Sequence, residues 1–176
     1  MKSSIADERV AIFIDGSNFY HAVKEQRNDV RVDFEFLVDS LVGGRVLFRV
    51  FYYNALPVDD NNDMYEQQKS FFEKIGALPY FEVSLGYIDR KLQKGVDTKM
   101  TTDMVVYAMR DTYDTAIIIS GDGDFAIPAE VIKSEGKHVE QAFYSGWGKH
   151  LLKVADRFID ITPCIRDPFQ KDSQEE

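Results

Sequence analysis

Three aspartates stand where an apolar run gives way to a glycine-containing turn. Asp15 follows Val10-Ala11-Ile12-Phe13-Ile14 and precedes Gly16-Ser17-Asn18, while Asp122 and Asp124 follow Thr115 to Ile119 through Ser120-Gly121. Carboxylates brought this close repel one another unless a cation neutralises them. Neither turn holds a histidine or cysteine, so the ligand set is oxygen alone and suits Mg²⁺ or Mn²⁺ rather than zinc. Gly16, Gly121 and Gly123 let the chain turn sharply and leave room for a phosphate to approach. Each piece also has a plainer use. Aspartate after a strand is a common helix N-cap, and Asp-Gly is ordinary turn chemistry. Two such turns at matched strand ends favour the cation.

A third source of carboxylate is the segment Lys94-Gly95-Val96-Asp97, which leads into a strong helix. Asp97 is placed there as N-cap or first-turn acid. Asp103 lies six residues on, about 120° around a helix, so the two share no narrow face and Asp103 is the weaker candidate ligand. Arg90, Lys91, Lys94 and Lys99 form the densest basic stretch, directly beside Asp97, and Tyr87 before them is able to stack on a base. Charge runs are ordinarily solvated loops, but adjacency to the acids favours a substrate-guiding role. His21, His138 and His150 are assigned to surface or packing, and Trp147, in a Gly-rich turn, to packing.

These residues need a frame. Val10–Ile14 and Thr115–Ile119 are short, β-branched and uniformly apolar, as strands buried on both faces are. Further strands are expected over 45–53, 79–87, 139–144 and 158–161. Helices are expected over 17–26, 34–42, 64–75, 97–110, 125–134 and 151–155. Asp33 caps the second helix and Gly43-Gly44 stops it. Strand and helix alternating in this way define an α/β protein, a three-layer α/β/α sandwich with a mainly parallel central sheet. Ligands of such sheets collect outside the carboxyl ends of the strands, where the strand order reverses. The turns after Ile14 and Ile119 are therefore where chemistry is expected.

The chain has 176 residues, 44% of them hydrophobic, enough for one domain with a sizeable core. One cysteine, Cys164, excludes an internal disulfide framework and a Cys-rich zinc module. The first residues lack the apolar stretch of a secretory signal, and no run is long enough to span a bilayer, so a soluble cytoplasmic protein is expected. The formal charge of −9 argues at first sight against a nucleic-acid partner. Four cation-binding carboxylates would account for part of it, leaving weak, salt-sensitive binding through a small basic patch. The aromatics of residues 64–81 either cover the sheet or face a second copy in a homodimer, and packing is their default use.

In combination and order, Phe13-Ile14-Asp15-Gly16-Ser17-Asn18, Lys94-Gly95-Val96-Asp97 with Asp103, and Ile119-Ser120-Gly121-Asp122-Gly123-Asp124-Phe125 resemble the NYN domain. This family is a branch of the PIN-like nuclease superfamily, and the LabA-like subgroup is most similar. The segments Gly136–Val139 and Leu151–Ile159 extend the resemblance over about residues 10–162, leaving 1–9 as an N-terminal segment and 163–176 as a polar acidic tail. The resemblance implies a PIN-like sheet and hydrolysis of single-stranded RNA with Mg²⁺ or Mn²⁺. Asp15, Asp97, Asp122 and Asp124 would hold the metal, and Asn18 would orient a water or the substrate phosphate. Ser17 and Ser120 are placed to bond a phosphate oxygen. Neither has the Ser-His-Asp partners of a nucleophile. The rival reading is a regulatory module of the same fold, without useful turnover, that binds RNA, a nucleotide or a protein. An aspartyl-phosphate phosphatase is disfavoured because Ser17 stands where its second aspartate belongs.

Overall fold

A computed structural model describes residues 7–27, 31–56, 63–89 and 92–168, with backbone alone for 87–89 and 92–94. In chain order the elements are β1 (Arg9–Asp15), α1 (Gly16–Arg27), α2 (Phe34–Val42), β2 (Val46–Leu56) and α3 (Asp63–Gly76). Then come β3 (Phe81–Asp89), β4 (Leu92–Lys94), α4 (Val96–Met109), β5 (Thr115–Ile119) and α5 (Ala126–Ser134), with a 3₁₀ turn over Gly123–Phe125. β6 (His138–Phe143), α6 (Lys149–Val154), β7 (Arg157–Asp160) and a 3₁₀ turn over Thr162–Cys164 complete the chain.

The strands form one sheet in the order β4-β3-β2-β1-β5-β6-β7. Six run parallel, and β4 alone pairs antiparallel, against β3. This short edge strand is absent from the expected elements, because three residues give no usable periodicity. Alternation along the strands sorts the core into two layers. Ile12 and Ile14 face α1, α2 and α3 with Phe19, Leu37 and Phe72. Ala11 and Phe13 face α4, α5 and α6 with Met100, Met104, Ile132 and Leu151. Phe13 stacks on Phe51 at 5.1 Å between ring centres. The expected three-layer sandwich is the one observed.

Local signals act as read for α2. Asp33 accepts the N–H of Phe36 at 3.0 Å, and Gly43 ends the helix at φ 58°. At α4 Gly95, at φ 79°, is the N-cap, and Asp97 lies inside the first turn, the second of the two places expected for it. The packed chain also runs past residue 163. Cys164 and Ile165 are buried in the α2 layer, and Arg166 pairs with Asp33 at 2.9 Å. Two apolar residues and a cation with a waiting cap carboxylate outweigh the polar character of the tail. Aromatics of residues 64–81 mostly pack: Phe71, Phe72 and Phe81 join Phe34 and Tyr52, whereas Tyr80 is exposed. No described helix is long and apolar enough to cross a membrane.

The amino ends of the strands are closed by a charge network. The Arg45 side chain, 7% exposed, reaches Glu8 at 3.3 Å and Glu140 at 3.0 Å and donates to the carbonyls of Leu41 and Val42. Removing one partner of a buried pair strands the other. Arg45→Ala is therefore expected to cost about 3 kcal/mol in urea unfolding, and an unchanged midpoint would contradict this.

Candidate metal centre

β1 and β5 are neighbours, with Ile14 opposite Ile119. Strand order reverses between them, so the turns after both strands open on one crevice at the carboxyl edge of the sheet. Asp15 is 6% exposed. Its Oδ1 accepts the N–H of Asn18 at 3.1 Å, and its Oδ2 accepts the Ser120 hydroxyl at 3.1 Å. Asp15 thus caps α1 as well, and the plainer reading of this residue holds beside the functional one. The Ser120 oxygen accepts the N–H of Asp122 at 3.0 Å, and Asp122 Oδ1 accepts that of Asp124 at 2.9 Å. Asn18 spans the crevice, its Oδ1 accepting the Gly121 N–H at 2.8 Å. One carboxylate therefore organises both turns.

Electrostatics ties four acids together. Burial first, then the charges of Asp97 and Asp122, push the Asp15 carboxyl up to about 6, against the pull of its two hydrogen bonds. Desolvation, then the charges of Asp122 and Asp124, raise Asp97 above the ordinary carboxylate range. Among the described residues, no lysine or arginine pairs with any of the four. Nor do three acidic side chains converge closely enough to enclose an ion among those residues. The donors fit a hard divalent cation in type and charge. The ligating geometry would have to be completed by rotation of Asp97, Asp122 and Asp124, which are exposed or half-buried.

Other expected residues fall elsewhere. Asp103 is buried, not solvated, accepting the Tyr53 hydroxyl at 3.0 Å and pairing with Lys99. It stands apart from the four coupled acids. Lys99 is accordingly not an unpaired cation. Arg90 and Lys91 lie outside the described residues, as do the side chains of Lys94 and Tyr87. Ser17 is half-buried at the start of α1. Elsewhere, Lys133 is held by Asp156 and Lys137 by Asp111. Trp147 packs edge-on against Phe143 at 5.9 Å.

The glycines have a different reason from the one expected. A Cβ on Gly16 would lie 2.5 Å from the Tyr52 ring, and one on Gly121 would lie 2.6 Å from Phe143. Protein side chains fill the space first allotted to a phosphate. One neighbour, Gln141, escaped sequence reasoning, and His150 takes the packing role expected of it. His150 lies against Gly123, where a Cβ would sit 3.0 Å from its own. Gln141, fully buried in β6, donates to the carbonyl of Ser120 at 3.0 Å and, more weakly, to that of Gly148 at 3.4 Å. A polar pair, Glu140-Gln141, between Val139 and Ala142-Phe143 was the available signal.

With fold and site in view, comparison places the protein. The NYN domain profile matches residues 9–162, and the chain belongs to that family. It is 26% identical to the low amplitude and bright protein LabA of Synechococcus elongatus, over 96% of this chain and 91% of that protein. A crystal structure of a Vibrio parahaemolyticus protein of unknown function superposes with a TM-score of 0.73 at 24% identity, over 94% of this chain and 99% of that one. The fold is the PIN-like α/β fold.

The raised Asp15 carboxyl has a consequence for stability. Between about pH 4 and about pH 6 the folded chain holds a proton that the unfolded chain has released. Stability contributed by this group is therefore lost as pH rises through that window, by about 3 kcal/mol at neutrality. In EDTA, wild type is expected to lose stability relative to Asp15→Asn between about pH 4 and pH 7. Parallel profiles would contradict the assignment.

Proposed function

We propose that the protein is a metal-dependent ribonuclease that hydrolyses phosphodiester bonds of single-stranded RNA. One observation carries the reading: four carboxylates raise or face one another at the switch point of the sheet, with no cationic partner among the described residues. Such an arrangement is costly without a cation and productive with one. Mg²⁺ or Mn²⁺, when bound, supplies an activated water and offsets charge on the phosphoryl group and leaving oxygen. Asp15, Asp97, Asp122 and Asp124 would hold it.

The chain's own contribution is orientation. Each Asp15 oxygen has accepted one hydrogen bond and keeps a further lone pair for a ligand. Asn18 spends its carbonyl on Gly121, which leaves its NH₂ for a substrate oxygen. Ser120, donating to Asp15 and accepting from Asp122, acts in this reading through those acids rather than on the phosphate. Membership of a family in the nuclease superfamily supports the proposal. A second reading, a module that binds RNA, nucleotide or protein without turnover, is favoured by the lack of a converged three-acid cluster among the described residues.

Labelled single-stranded RNA incubated with Mg²⁺, Mn²⁺ or EDTA separates the two. Cleavage is expected with metal only, and Asp122→Asn combined with Asp124→Asn should reduce it by about 100-fold or more. Equal degradation by wild type and variant would sink the nuclease reading.

A further inference from the structure

A cavity of about 310 Å³ opens beside the acid cluster, between the carboxyl ends of β2 and β3 and the first turn of α4. Its origin lies in strand register. Ser84 stands opposite Tyr53, and Gly86 opposite Ala55. Side chains paired in this way face the same side of the sheet, here the side that α4 covers. Towards the amino end that side is filled by Phe51 stacked on Tyr107. At Ser84 and Gly86 the side chains are too small to fill it, and the space stays open. Gly95, Val96 and Lys99 close it from the helix.

The lining is mostly apolar, with few polar groups in fixed places. The Lys99 side chain is 54% exposed, yet its ammonium is anchored by buried Asp103, which the Tyr53 hydroxyl fixes in turn. Ser84 has no hydrogen-bond partner among the described residues, so its hydroxyl is available. An apolar slot with two donors at its edge suits a flat heterocycle carrying carbonyl or ring-nitrogen acceptors, and the volume is at the small end of ligand pockets. Val96 lines the cavity, and its chain neighbour is Asp97, one of the four acids.

We infer that this cavity receives one unpaired nucleoside of the substrate, its base between Val96 and the Ser84–Gly86 edge and its carbonyl or ring-nitrogen acceptors toward Lys99 and Ser84. The inference deepens the ribonuclease reading and rests on it for the identity of the substrate. A base still paired in a duplex cannot enter, so the pocket selects single strands.

Calorimetric titration of the full chain with uridine and adenosine 5′-monophosphates, in EDTA, tests the pocket without metal or turnover. Wild type is expected to bind at least one of them more tightly than inorganic phosphate. Ser84→Val, which fills the slot with a residue at home in a strand, should weaken binding about tenfold. Lys99→Met should weaken it similarly, whereas Lys153→Met, which removes the same charge on α6, should not. Melting temperatures check folding, and Lys99→Met carries the test if Ser84→Val fails to fold. No mononucleotide binding, binding no tighter than phosphate, or equal loss in Lys153→Met overturns the pocket. If wild type cleaves RNA yet binds no mononucleotide, the pocket falls and the nuclease reading survives. If binding follows the variants but RNA is never cleaved, the pocket stands and the nuclease reading falls.

Discussion

A carboxylate at the buried end of a parallel strand is expensive to ionise, and much of the site is arranged around that cost at Asp15. Burial and two neighbouring acids oppose its charge, while one backbone N–H and one hydroxyl support it. The supporting groups come from different segments, Asn18 from α1 and Ser120 from the turn after β5, so satisfying Asp15 also fixes the two turns against each other. Asn18 and Gln141 then brace the second turn from either side. The balance is left incomplete. In the proposed reading a divalent cation would complete it, since the donors left on Asp15, Asp97, Asp122 and Asp124 are oxygens of like charge.

Close packing enforces the same arrangement. The turns meet Tyr52 and Phe143 at distances that only glycine permits, and His150 at a tight one, so their backbones have little freedom to retreat from one another. Repulsion among the acids therefore acts on side-chain rotation rather than on the sheet. That division suits a site whose rigid member, Asp15, is preorganised and whose outer members, Asp97, Asp122 and Asp124, close on a ligand. Under the proposed reading the site would also account for part of the acidity of the chain. Two bound divalent cations would offset nearly half of the formal charge of −9.

The layer architecture was legible because β1 and β5 are buried on both faces and show it as unbroken apolar runs. Asp33 and Gly43 marked α2 to the residue, because cap chemistry is local. Features that depend on distant contacts were not legible. β4, too short to show a period, is defined by its pairing with β3, and Cys164 and Ile165 are drawn into the core by α2. Asp15, Asp122 and Asp124 were singled out by their places after strands, and Asp97 by its place at the start of a helix. Asp103 and Gln141 took their roles from partners on other strands or turns, Tyr53 and Ser120, which spacing along the chain does not encode. The glycines were correctly singled out for the wrong reason: the groups that approach their backbones are aromatic side chains.

The central claim is that the four aspartates form a divalent-cation site. Titration of the metal-free protein with Mn²⁺, read by electron paramagnetic resonance of the free ion, tests it directly. The account predicts saturable depletion of free Mn²⁺ by wild type, abolished in Asp15→Asn combined with Asp122→Asn, together with a rise in melting temperature on binding. Undepleted Mn²⁺, or equal depletion by wild type and variant, would contradict it.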